Sequence, residues 1–297
     1  MHGLILESID KSIEKLEASE ELGDRIGAEI EEFEIMLEEN GEKCRAAFEE
    51  ESPELYSTMN FAVYTNAKLV MATRSRNSDL LPLIWNGDRG DESSFVVLNS
   101  LATNVSNYSF SVFRELKAGS DLAAKSIHRS FLELVECLAL VAYDEKFFND
   151  YISEPDDIEL FGKHWSKKNR PKIARSGLVE CVRASTDWGE DWADWMKKAL
   201  GDSYSFLSNF AHVSYAVQAV LAASDVSGRF GAHSSVVEAT VRHHVLATLC
   251  LHCSLVDALT NEHKWDSEHE ETKNYINVVK AFAQIVDDSR GILFASK

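Results

Sequence analysis

Turn-forming residues are scarce in this chain: 14 glycines and 4 prolines punctuate 297 residues, and they rarely interrupt the apolar periodicity. So few breakers favour long helices over a turn-rich β architecture. The spacing of apolar residues agrees. Ile9, Ile13 and Leu16, then Ile26, Ile30, Phe33 and Leu37, recur three and four apart on an otherwise charged background, which predicts one apolar stripe per helix. The glycine-bearing stretch 21–27 predicts a break between those two stripes, and "ENGEK" at 39–43 predicts a helix end.

Further along, 54–74 reads as a helix that Pro53 can start, and 86–94 as a loop. Residues 94–143 are helical with a break at "AGSD", 118–121, and 150–171 is a connector. Residues 172–184 and 187–200 are helical, the second lining up Trp188, Trp192 and Trp195. Ser235 with Glu238, and Ser267 with Glu270, have capping-box spacing ahead of apolar runs. Between them "VRHHVLATLCLHCSLVDAL" predicts a central buried helix. No stretch reads as a strand. The expectation is an all-α protein of roughly eight to ten helices at ordinary helix lengths.

The net charge is −19, and 17 Asp/Glu against 5 Lys/Arg in residues 1–51 put −12 of it there, leaving −7 for the rest. Residues 1–50 are therefore expected to be an acidic amphipathic helical extension, and 51–297 a single helical domain with additional C-terminal helices. A protein so acidic repels phosphate backbones, which disfavours nucleic acid as a partner. The one basic stretch, Lys163 to Lys172, reads as a solvated loop. Narrow apolar stripes with acidic backs suit association, either with a second copy or with a basic protein partner.

Five scattered cysteines fit a reducing, cytoplasmic setting rather than a disulfide framework. The first residues meet acidic and polar side chains too early for a signal peptide. No apolar run approaches the ~20 residues of a membrane span.

Chemistry-bearing clusters are few. His243, His244, Cys250, His252 and Cys253 fall within eleven residues, with His263 and His269 beyond, but one helix cannot converge four ligands and no second pair completes a zinc site. The ordinary reading is a helix interior that houses cysteines and hydrogen-bonded histidines, so no metal and no cofactor is expected. No G-x-S-x-G elbow, phosphate loop or dinucleotide fingerprint occurs. Asp156, Asp157 and Glu159 read as solvated loop acids.

One polar constellation is more specific. Arg129, Glu133 and Glu136 head an otherwise apolar helix at spacings of four and three. Tyr204, Ser208 and His212 form a second row at spacings of four, within ~80° of one helix face. The expectation is that the rows meet, with Glu133 orienting His212, Arg129 clamping Glu133 or an anion, and Glu136 either solvated or a second partner.

The pairing of R-x3-E at Arg129 and Glu133 with Y-x3-S-x3-H at Tyr204, Ser208 and His212 resembles a family of uncharacterised bacterial all-helical proteins related to the HEPN superfamily. "ELKAGSDLAAKSIHRSFLE" ahead of Glu133 fits the same likeness, which covers about 95–225. It implies a multi-helix HEPN-like bundle and a setting in bacterial defence or toxin–antitoxin systems. Active HEPN ribonucleases carry R-x4-6-H. His212 lacks an arginine at that spacing, and Arg229 precedes His233 by only four residues.

Two functions follow. In the first, the chain is a non-catalytic helical interaction module whose polar residues fix helix register. In the alternative it is a nuclease or nucleotide-acting enzyme, with His212 as general acid/base, Glu133 its orienter, Arg129 the phosphate clamp and Tyr204 a proton donor.

Overall fold

The computed structural model describes residues 20–74, 92–143, 234–261 and 270–289, together with Lys198. These form six α-helices: α1 (Glu20–Glu51), α2 (Pro53–Arg74), α3 (Glu92–Lys117), α4 (Asp121–Tyr143), α5 (Ser234–Asn261) and α6 (Glu270–Asp288). Among the described residues there is no strand, and the all-α expectation holds. The two helices expected at 172–184 and 187–200, the connector at 150–171 and most of the 86–94 loop lie outside the described residues.

Local chemistry explains where several helices stop and start. Pro53 lacks an N–H and disfavours helical geometry at Ser52, so α1 ends there. The Ser52 carbonyl then accepts the first bond of α2 from the Tyr56 amide at 2.9 Å. Between α3 and α4, Gly119 takes φ 75°. The Ser120 amide donates to the Glu115 carbonyl at 2.8 Å and the Gly119 amide to Leu116 at 3.1 Å. That pair is a Schellman closure, and it confirms the break expected at 118–121. The α5 start at Ser234 lies one residue from the capping serine read in the sequence, and α6 begins at Glu270.

The first helix corrects two expectations. Neither 21–27 nor 39–43 interrupts it; α1 runs unbroken for 32 residues, about 48 Å. An interior glycine costs only ~1 kcal/mol relative to alanine, and the Lys43–Glu39 pair at 3.5 Å spans Gly41, with Arg45 paired to Glu42 just beyond it. Continuing the helix also carries Phe48 into an aromatic run. Its ring meets Tyr56 edge-on at 5.3 Å, and Tyr56 meets Phe113 at 5.4 Å. Burial of that ring at the C-terminal end anchors α1 to α2 and α3.

In the body, α2 packs on α3, α3 on α4, α4 on α5, and α5 back on α2, which closes a four-helix ring. The sixth helix lies against both α2 and α5, with Phe61 and Phe282 stacked at 5.9 Å. Leucine, valine, alanine and phenylalanine from all five helices fill the interior. The exception lies along the middle, where the core is polar.

Candidate functional site

Every body helix sends a polar side chain to the same interior line. Asn66 comes from α2, Ser109 from α3, His128 from α4, His244, Thr248 and His252 from α5, and Tyr275 from α6; all seven are fully buried. On α5 the three positions are four residues apart, so they form one row facing the ring's interior. Asn66 and Ser109 occupy places on their own apolar stripes where a hydrophobic residue would be ordinary.

The hydrogen bonds join these side chains end to end. The Asn66 carbonyl oxygen lies 2.9 Å from His252 Nε2, and a carbonyl only accepts, so Nε2 carries the proton. Burial holds His252 neutral, its pKa lowered to about 3, so Nδ1 is an acceptor. The Tyr275 hydroxyl, 2.7 Å away, therefore donates to it. At the other end of the amide, Asn66 Nδ2 donates to Ser109 Oγ at 3.0 Å and to Thr248 Oγ1 at 3.4 Å. Ser109 Oγ is in turn hydrogen-bonded to His244 Nε2 at 2.8 Å. The order is Tyr275, His252, Asn66, Ser109, His244.

The chain ends abruptly. Among the described residues His244 Nδ1 has no hydrogen-bond partner, and His128 has none on either ring nitrogen. The two imidazoles lie 5.3 Å apart, and Phe131 stacks on His244 at 4.0 Å. Burial lowers the pKa of His244 to about 3. Burial also lowers that of His128 well below the usual histidine range, with His244 and His243 adding to the effect.

The residues singled out by the Arg-x3-Glu pattern lie on α4. Arg129 Nε and Glu133 Oε1 are 3.4 Å apart, an i,i+4 pair with side chains 26% and 38% exposed. Both are half-buried, on the flank of α4 that also carries the exposed Ser126. Glu136 is the buried member, and its charge, after burial itself, helps push the neighbouring Cys137 thiol up to about 12. Lys125, one turn before His128, is also fully buried. Tyr204, Ser208 and His212, and with them the expected meeting of the two rows, lie outside the described residues.

The cysteine and histidine run of α5 has the character of a helix interior. His244 and His252 are hydrogen-bonded, Cys250 and Cys253 are buried and outside any disulfide, and Ser254 donates to the Cys250 carbonyl at 2.6 Å. Among the described residues no three metal-ligating side chains stand close enough to share an ion. His263 and His269 fall outside them.

The core residues missed by sequence reading were His128, Asn66, Ser109, Thr248 and Tyr275. The signal present was a polar side chain on an apolar stripe, as in Met59, Ala62, Asn66, Leu69 and in Leu101, Val105, Ser109, Val112. No protein-family model, curated protein or solved structure matches the chain. Among the described residues no helix is long and apolar enough to cross a membrane.

Proposed function

We propose that the protein is a non-catalytic helical interaction module, and that the free part of α1 captures a cationic amphipathic segment of a protein partner. One observation carries the reading. Phe33, Ile35 and Met36 are 53%, 57% and 39% exposed. They lie in a stretch, 29–42, that holds seven glutamates and no lysine or arginine. Exposed apolar side chains inside such a field suit a partner that is both greasy and basic, which gains contact area and charge complementarity together. A second copy carries the same charge and is repelled.

The sealed Asn66 network supports the non-catalytic side of the reading, because hydrogen bonds among four helices, α2, α3, α5 and α6, specify register. The likeness to HEPN-related proteins supports a setting in bacterial defence or toxin–antitoxin function, and the free cysteines support a cytoplasmic one.

The test is titration of a labelled lysine/leucine amphipathic peptide into the full chain, followed by anisotropy. Phe33→Ser with Met36→Ser weakens binding by about tenfold or more, on the scale of lost apolar anchors. Unchanged affinity in that variant defeats the proposal, as does salt-independent binding. Sedimentation of the unliganded chain reports the competing outcome, self-association.

The enzyme reading is kept alive by the partial exposure of the Arg129–Glu133 pair, which leaves it open to an anion. His212→Ala separates the two readings. An RNA-cleaving activity that this change abolishes without lowering thermal stability favours the enzyme.

A further inference from the structure

The unpartnered ends of His128 and His244 are the feature of this core that packing alone does not explain. A buried imidazole with no hydrogen bond costs free energy that a phenylalanine of similar volume would avoid. Here two such rings face one another across the seam between α4 and α5, walled by Phe131.

We infer that this imidazole pair is an acid-sensitive joint: protonation of either ring parts α4 from α5 while α2, α3 and α6 stay packed. The argument rests on what surrounds the rings. A proton on His128 or His244 creates a cation with a bare N–H, and the other imidazole stands 5.3 Å away. Among the described residues, α4 contributes Lys125, Arg129, Glu133 and Glu136, and α5 contributes Arg242, His243 and His252. Lys125 is a base or a cation, never a counter-charge. Glu136 lies eight residues from His128, about 12 Å along the helix. Arg242 reaches Glu238 on its own helix at 3.4 Å.

The network members on α2 and α3, Asn66 and Ser109, are neutral, and Tyr275 on α6 is occupied by His252. Among the described residues no carboxylate raises the pKa of either ring; the charges acting on His128 are those of His244 and His243, and both lower it. Solvation is then the remaining route, and the rings straddle one seam, so that seam is where water enters. His252 differs. Its Tyr275 partner can rotate from donor to acceptor, so a proton there keeps both of its hydrogen bonds.

The sign follows from linkage. A histidine whose folded-state pKa lies below its unfolded value of about 6.5 supports the folded seam in full above that pH, and loses the support progressively as pH falls toward the folded value. At pH 5.0 the His244 ring, with its pKa at about 3, lowers the closing equilibrium by about 30-fold, and His128 acts in the same direction.

Hydrogen exchange of the full chain at pH 7.5 and 5.0, with rates corrected for intrinsic pH dependence, tests this. Protection is expected to fall in α4 and α5 by two or more orders of magnitude, with protection in α2 and α3 retained. Equal protection at the two pH values overturns the inference, as does simultaneous loss in all five helices. The variant His128→Phe, His244→Gln keeps an acceptor for Ser109 and removes both titrating rings, so its α4 and α5 protection should not change with pH. If that variant fails to fold, the ring-proton NMR titration of the unaltered protein decides. Midpoints for the two rings that coincide with the exchange transition support the joint, and rings that titrate near 6.5 while protection in α4 and α5 is unchanged reject it.

Discussion

Asn66 uses its carbonyl toward α5 and its amide toward α3 and α5, so a single side chain holds three helices in one register. Asn66→Ala strands the His252 Nε2–H and removes the donor from Ser109 and Thr248. A loss of ~3–5 kcal/mol in urea unfolding is expected, from more than one unsatisfied buried group. Tyr275→Phe is the milder companion. The ring still packs edge-on against His252, but Nδ1 loses its donor, so the cost should be ~1–2 kcal/mol. Replacing the exposed Asn107 by alanine should move the urea midpoint by less than ~0.5 kcal/mol equivalent. The contrast among the three separates a network from a scatter of polar residues. None of this was visible in composition. Asn66 and Ser109 look like interruptions of apolar stripes until the helices are assembled around them.

At the scale of elements, two glycines give opposite predictions. Gly119 sits at the C′ position of α3 with φ 75°, where a Cβ is strained. Gly119→Ala should cost ~1–2 kcal/mol in thermal or urea unfolding. Gly41 is inside α1, and a Cβ added there would meet no atom within 4 Å. Gly41→Ala should therefore stabilise by ~0.5–1 kcal/mol, read in the same assay and as increased helicity.

These two positions also show how far sequence reading carries. The break at 118–121 was legible because glycine, serine and aspartate there end one helix and begin the next by local hydrogen bonds. The stop expected at 39–43 was wrong because the decision was not local: Phe48, seven residues beyond Gly41, is buried against Tyr56 only if the helix continues. The α5 run from Val241 was readable as central, since its apolar residues leave no solvent face, yet which of its histidines would find partners was not.

For the whole molecule, charge is the dominant variable outside the core. With a net charge of −19, self-repulsion opposes the compact state, and salt screens it over about 10 Å at 0.1 M. Melting temperature should rise between 10 mM and 150 mM sodium chloride at pH 7.5, by a few degrees, and a calorimetric or fluorescence melt checks it. A flat or falling trend would mean that the ion pairs on α1, such as Lys43–Glu39 and Arg45–Glu49, outweigh the repulsion.

By itself the sequence determined what depends on near neighbours: helices rather than strands, an acidic first segment, a Schellman stop at Gly119 and a buried α5. These follow from spacing, breakers and capping chemistry, which act over a few residues. The tertiary structure decided which polar residues meet. Asn66 and His252 are 186 positions apart, and Ser109 and His244 are 135 apart. Partners so distant are chosen by the closing of the helical ring, because a buried hydrogen bond forms only where packing has already brought donor and acceptor within 3 Å.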